Sequence, residues 1–377
     1  MKVAILGTRG VPPEYGGFET FAAELGVRLV RRGHQVTVYC RESGLRGYGV
    51  TGSTSQPPNL VTRQPVWNGI HRIVLPHLPG KYLETVTHTF VSALDAFRRD
   101  FDAILLCNAA NAFTIPLLRA GRVPVAINVD GIERKRRKWN LLGQAFYAAG
   151  EAFAATFASA VIADAEVIAE YYRANYSVEP VVIPYGAEFP SEDDSDILTR
   201  LGIQQRGYIL YVSRFEAENN PLEVVLAYEK LKNAPPLVML GAARYDKALE
   251  AELRSHAGAN ILFPAALYGA DYRTLQRRAL LYIQATEVGG THPALIEGMA
   301  SGGLVLANDT PENREVGGDA IRYFQLRPSE TLSGILRECL VSADGEGWRE
   351  RARRRAAERY GWEAVTDAYE RLFTELV

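Results

Sequence analysis

Only three cysteines occur in 377 residues, and Cys40, Cys107 and Cys339 lie too far apart for a metal cluster or a disulfide framework. Cys40 and Cys107 close apolar strands, so the thiols are expected to be buried. No apolar run approaches the roughly 20 residues of a membrane-spanning helix. The chain enters a strand at Val3 with no signal-peptide pattern before it, so a soluble, cytoplasmic protein is expected. A strong charge of either sign is also missing: 42 Lys and Arg face 44 Asp and Glu, a formal net charge of −2. That balance hides an asymmetry. Residues 1–185 hold 20 cations against 15 acids and the remainder 22 against 29, so the first half is the one suited to an anionic partner. Finally, the loop Gly7 to Gly17 has four glycines but no G-x-G-x-x-G, which argues against a dinucleotide fingerprint.

What is there is apolar strands in alternation with helical spacing. Val3 to Leu6, Gln35 to Cys40, Ile104 to Cys107, Val125 to Val129, Val161 to Ala163 and Val181 to Ile183 read as buried strands. A second series follows at Tyr208 to Val212, Leu237 to Leu240, Ile261 to Phe263, Leu281 to Ile283 and Leu304 to Ala307. With helices between them, this predicts an α/β protein whose parallel sheets are covered on both faces. Two Rossmann-like, doubly wound domains are expected, residues 1–184 and 185–360, with the last helix in 361–377 returning to the first. Glu42 to Asn68, rich in Gly, Ser, Thr and Pro, predicts a long loop, and Pro184 to Asp196 a linker.

The chemistry concentrates between Thr286 and Ala307. There an apolar strand runs into Gly289 and Gly290, Thr291 and His292 lead to a helix opened by Pro293, and a second glycine pair precedes the next strand. Glycines admit a ligand close to the backbone, and a helix start aims unpaired N–H groups at it, which suits a phosphate. Glu297, one turn into that helix, has the wrong charge for phosphate but accepts hydrogen bonds from a diol such as a ribose. Glu287 is placed to serve a sugar hydroxyl. Gly16 and Gly17, opening the first long helix just before Glu19, form a second corner suited to an anion.

Doubly wound sheets bind ligands at the carboxyl ends of their strands. The residues found there are Asn108, Asp130, Asp164, Tyr185 and Arg214. Asp130 and Asp164 also suit helix or turn caps, whereas a cation such as Arg214 facing the cleft fits a diphosphate. Asp100-Phe-Asp102 and Asp194-Ser-Asp196 match the D-x-D pattern of metal sites. They precede a strand and a short helix and read as solvated caps, so no metal and no cofactor are expected.

Gly16-Gly-Phe-Glu19, Ala163-Asp-Ala, Ile183-Pro-Tyr-Gly186, Val212-Ser-Arg-Phe215, Gly289 to Glu297 and Tyr360-Gly-Trp-Glu363 together resemble the retaining glycosyltransferases of family 4, which have the GT-B fold. More narrowly, Gly7-Thr-Arg-Gly-Val-Pro, Asn128-Val-Asp-Gly-Ile-Glu133, Arg214-Phe-Glu-Ala-Glu-Asn-Asn220 and Asn308-Asp-Thr-Pro-Glu-Asn-Arg-Glu315 resemble the bacterial polysaccharide rhamnosyltransferases. The resemblance implies transfer of a hexose, L-rhamnose, from a dTDP- or UDP-linked donor to a polysaccharide or lipid-diphosphate-linked acceptor in cell-surface glycan synthesis, with retention of configuration. It implies donor contacts from Gly16, Gly17, Arg214, Asn219, Glu287, Gly289, Gly290, Thr291, His292 and Glu297. Acceptor contacts would come from Glu19, Asn108, Asp130 and Tyr185, and a catalytic set from Asp130, Asp164 and Arg214. Two departures stand out: nine residues separate Glu287 from Glu297 where seven are usual, and Asn219 stands where the family carries a diphosphate-binding Lys. A nucleotide-sugar epimerase and an inactive nucleotide-sugar sensor are the competing readings.

Arg134, Lys135, Arg136, Arg137 and Lys138 form an unbroken run of cations just after Asp130, and Leu141, Leu142, Phe146, Phe153 and Phe157 follow at helical spacing. Cations adjoining an apolar stripe predict peripheral contact with an anionic membrane on its cytoplasmic face. No nucleic-acid partner is expected.

Overall fold

The structure, a computed structural model, describes all residues except 14–16, 42–64, 79, 81–82, 137–138, 189–194, 244–245, 265 and 342–344. The first domain runs β1 (Lys2–Leu6), α1 (Gly17–Arg31), β2 (Gln35–Arg41), β3 (Val66–Trp67), β4 (Ile70–Leu75), α2 (Leu83–Ala96), β5 (Ala103–Cys107), α3 (Ile115–Ala120), β6 (Val125–Asn128), α4 (Leu141–Phe157), β7 (Ala160–Ala163), α5 (Glu166–Tyr176) and β8 (Val181–Val182). The second runs α6 (Ile197–Leu201), β9 (Ile209–Val212), α7 (Pro221–Glu229), β10 (Leu237–Leu240), α8 (Lys247–Ser255), β11 (Ile261–Leu262), α9 (Gly269–Arg278), β12 (Leu281–Gln284), α10 (Pro293–Ala300), β13 (Leu304–Asn308), α11 (Pro311–Gly317), β14 (Arg322–Phe324), α12 (Ser329–Val341) and α13 (Gly345–Arg359). Helix α14 (Trp362–Leu376) closes the chain.

Strands line up as β3-β4-β2-β1-β5-β6-β7-β8 and as β11-β10-β9-β12-β13-β14, and all pair in parallel except the β3–β4 hairpin. A parallel sheet covered on both faces must be apolar throughout, and β1, β5, β6, β10, β12 and β13 are buried along almost their whole length. Alternation sends Val3 and Ile5 toward α1 and α14, and Ala4 and Leu6 toward α2 to α5. The second sheet packs α9, α10, α11 and α13 on one face and α7, α8 and α12 on the other. Strand order reverses between β1 and β5 and between β9 and β12. Such switch points open a crevice at the strands' carboxyl ends, and the two crevices face each other across one cleft.

The two doubly wound, parallel-sheet domains and the returning helix are therefore as expected. Ala187 bridges to Gly361, and α14 packs on α1, where Phe21 meets Tyr369 at 5.3 Å. Arg32 binds Glu363, Asp367 and Glu370 along the same contact. One expectation is corrected in part. The stretch read as a loop ends in a hairpin, Val66–Trp67 with Ile70–Leu75, whose strands are half exposed and so lack the continuous apolar signature. Residues 42–64 of that loop lie outside the described residues.

Candidate functional site between the two domains

The cleft has a volume of about 740 Å³ and is lined by both domains. Helices α1 and α10 begin at it from opposite sides, and a Cβ on Gly17 would stand 3.6 Å from the Pro293 ring. Gly16 lies outside the described residues. On the second-domain wall, Gly289, Gly290, Thr291 and His292 form the turn that Pro293 converts into helix. Gly290 is required there, because a Cβ would sit 2.0 Å from Asp164 Oδ1. Behind the turn, Glu297 accepts a hydrogen bond from the Tyr272 hydroxyl. Burial pushes the Glu297 carboxyl up to about 7, against the pull of that hydrogen bond. Burial, with Arg136 and Arg214 nearby, pushes His292 down to about 3, so its imidazole is neutral at physiological pH.

On the first-domain wall, Asp130, two residues past the end of β6, has a left-handed conformation with φ of 55°. Asn128 holds it there by accepting the Asp130 N–H at 2.9 Å, while its own amide donates to the Tyr369 hydroxyl of α14 at 2.9 Å. The Tyr185 hydroxyl donates to Asp130 Oδ1 at 3.3 Å. Burial raises the Asp130 carboxyl, with Arg136 opposing, and Asp164 adjoins it as a hydrogen-bond partner. Glu19 accepts the Arg9 N–H at 2.9 Å, and Asn108 caps the turn after β5 through the Ala110 N–H at 2.9 Å. Both line the cleft.

Three placements differ from the sequence reading, and a fourth, that of Asn219, gains a second role. Asp164 is 1% exposed and lies behind the cleft wall, where Oδ2 accepts the Thr291 N–H at 2.7 Å and its carbonyl accepts the Thr291 hydroxyl. It ties the first domain to the α10 turn rather than facing a ligand. Burial and the neighbouring Asp130 drive its carboxyl well above the usual range. Asn219 lines the cleft, and its amide donates to the Arg214 carbonyl at 2.7 Å, so it also steadies the loop that carries Arg214. The Arg214 guanidinium lines the cleft beside Glu216, 3.5 Å away. Glu287 is not among the residues that line the cleft; its N–H donates to the Glu218 carbonyl at 2.9 Å.

The third correction concerns the cation run. Arg136 is 7% exposed and crosses the cleft, pairing with Glu133 at 2.6 Å and with Glu218 and Glu216 of the second domain at 3.4 and 3.9 Å. Burial disfavours its charge, but those acids and Asp130 outweigh burial and hold it ionised. Arg134 turns to the Tyr171 hydroxyl at 2.9 Å and to Glu151 at 3.3 Å. Lys135 alone of the described members is exposed, and Arg137 and Lys138 lie outside the described residues. The spacing gave no hint that Arg136 faces inward; the nearby Glu133 was the one local sign. Sequence reasoning also passed over Tyr272 and Tyr147, which line the cleft.

Among the described residues, no group of three or more His, Cys, Asp and Glu could hold a metal ion. Asp100 and Asp102 are taken by Lys2, at 2.8 Å to its ammonium and 2.7 Å to its N–H. Asp196 pairs with Arg200, and Asp194 is outside the described residues.

Comparison with known proteins agrees with this architecture. Residues 16–186 match a family model described as a glycosyl transferase 4-like domain, and residues 195–344 one described as glycosyl transferases group 1. No curated protein sequence matches the chain. Sucrose-phosphate synthase from Thermosynechococcus elongatus superposes with a TM-score of 0.79 at 18% identity, over 100% of this chain and 98% of its own. Anabaena HepE, solved in complex with UDP and glucose, gives 0.79 at 16% identity over 100% of both chains. An α,α-trehalose-phosphate synthase (UDP-forming) from Burkholderia xenovorans gives 0.72 at 13% identity, over 99% of this chain and 100% of its own.

Proposed function

Because this chain is a glycosyltransferase of the GT-B fold, with a glycosyl transferase 4-like first domain and a group 1 second domain, we propose that it moves a hexose from a nucleoside-diphosphate donor to a saccharide acceptor. The observation that carries the reading is the second-domain wall. The start of α10, Arg214 and the buried carboxyl of Glu297 meet in one cleft, which is a set for a diphosphate and a ribose together. The similar fold of HepE, solved with UDP-glucose, supports a nucleotide-sugar donor. Rhamnose as the sugar and dTDP or UDP as the carrier rest on the motifs quoted above.

In the proposed reaction the anomeric carbon's bond to the diphosphate oxygen breaks, and a bond to the acceptor oxygen forms on the same face. The acceptor's proton passes to the leaving diphosphate oxygen. Arg214 and the N–H groups at the starts of α1 and α10 stabilise the charge that develops there. Asp130, fixed through Asn128 and Tyr185, orients the acceptor hydroxyl. Asp164 acts through Thr291, holding the α10 turn against the first domain.

Contact with an anionic membrane is part of the proposal, on grounds altered by the structure. Arg134 and Arg136 are engaged internally, so the support comes from α4, where Leu141 and Leu142 are more than 80% exposed and Phe146 and Phe157 are partly so, with Lys135 nearby. No helix among the described residues is long and apolar enough to cross a membrane.

The test is incubation with dTDP-rhamnose and with UDP-glucose in the presence of a saccharide acceptor extract. Transfer releases nucleoside diphosphate and lengthens the acceptor. An epimerised sugar nucleotide without transfer supports the epimerase reading, and binding without turnover supports the sensor.

A further inference from the structure

Trp139 belongs by sequence to the cation run, yet its indole lines the cleft. The indole N–H donates to Glu133 Oε2 at 3.2 Å, and the ring stands 4.9 Å from Tyr147, tilted by 50°. A third side rests on Gly143 of α4, where an added Cβ would lie 2.9 Å from the ring. Glu133's other oxygen holds Arg136 at 2.6 Å. The result is a braced aromatic pair with a carboxylate and a guanidinium at its edge, all on the first-domain wall.

That combination suits a pyranose ring. The sugar's apolar C–H face packs on an aromatic surface, while its hydroxyls need donors and acceptors at the rim. Bracing removes most of the ordering cost that binding would otherwise carry. A nucleobase is the other stacking ligand, but the ribose acceptor Glu297 stands on the opposite wall, across the α10 turn. We propose that Trp139 and Tyr147 form a stacking subsite for a pyranose unit of the acceptor saccharide, with Glu133 and Arg136 bonding its hydroxyls. The assignment rests on the first domain being the acceptor side of the proposed reaction.

The experiment is saturation-transfer NMR on the full chain with four probes: methyl α-L-rhamnoside, methyl β-D-glucoside, methyl β-D-galactoside and methyl N-acetyl-β-D-glucosaminide, with and without saturating UDP. At least one glycoside is expected to receive saturation on its ring C–H protons. Trp139→Ala should reduce it about fivefold, in line with the worth of one aromatic contact, and Trp139→Phe should keep most of it. UDP affinity by calorimetry should stay within about twofold in both variants. If Trp139→Ala does not fold, Trp139→Leu fills the space without a ring and replaces it. No saturation of any probe by the parent, or equal saturation in the ring-less variant, overturns the subsite. A fall in UDP affinity on losing the ring reassigns the platform to the nucleobase and overturns it equally. Failure of the parent to bind UDP at all is read separately and counts against the donor assignment.

Discussion

With Glu297 as the proposed ribose acceptor, nucleotide binding should depend on pH, and the direction follows from its surroundings. Burial moves its carboxyl from the ordinary 4.5 to about 7. Ribose hydroxyls donate hydrogen bonds, so the binding-competent form is the carboxylate, and apparent affinity scales with the ionised fraction. That fraction is about 0.9 at pH 8 and about 0.1 at pH 6, so affinity should fall about tenfold across the interval. UDP-glucose is the probe of choice, because its diphosphate diester does not titrate in this range while the terminal phosphate of UDP does. Glu297→Gln keeps the shape, removes the charge and should bind weakly and nearly equally at both pH values. Stability supplies an independent check. A carboxyl whose folded pKa is raised is bound by a proton more readily in the folded state, so between about 4.5 and 7 the folded protein loses stability as pH rises. At pH 8 the glutamine variant should therefore be the more stable of the two, by on the order of 1–3 kcal/mol in urea denaturation. Calorimetric affinities for the parent that are flat from pH 6 to 8, or a slope that persists in Glu297→Gln, would refute the assignment of Glu297 to the ribose.

Asp130→Asn should lower turnover by about a hundredfold or more while leaving UDP-glucose affinity within about twofold; equal losses in the two would move Asp130 to the donor site or to a structural role. Arg136→Ala leaves Glu133 and Glu218 facing each other without their cation, at a cost of about 3–5 kcal/mol in urea denaturation. A change below about 0.5 kcal/mol would show that the buried cross-domain pair does not form in solution. On the membrane, flotation with anionic liposomes at low salt should be lost in Leu141→Asp/Leu142→Asp and only weakened by Lys135→Gln, since a surface cation contributes about 1 kcal/mol. A parent that never floats removes the membrane from the proposal.

The alternation of strands and helices, the two domains and the corner between Gly289 and Glu297 were legible in the sequence for a local reason. A strand buried on both faces is apolar along its length, and a helix start carries its glycines and proline beside it, so neighbours in sequence suffice to reveal both. The hairpin ending at Leu75 escaped because its exposed strands break that pattern. What only the tertiary structure decided were the roles that depend on distant partners. Arg136 is an interior residue because Glu216 and Glu218 come to it from the other domain, about which a run of cations says nothing. Asp164 is a tie rather than a cleft acid because Thr291 offers it an N–H, and Glu287 stands outside the cleft lining on a segment whose main chain is bound to Glu218. Trp139 faces inward because Glu133, Tyr147 and Gly143 brace it there. Burial and hydrogen bonding of a side chain are set by whichever groups the fold brings alongside, and periodicity along the chain records only which side of its own element a residue lies on.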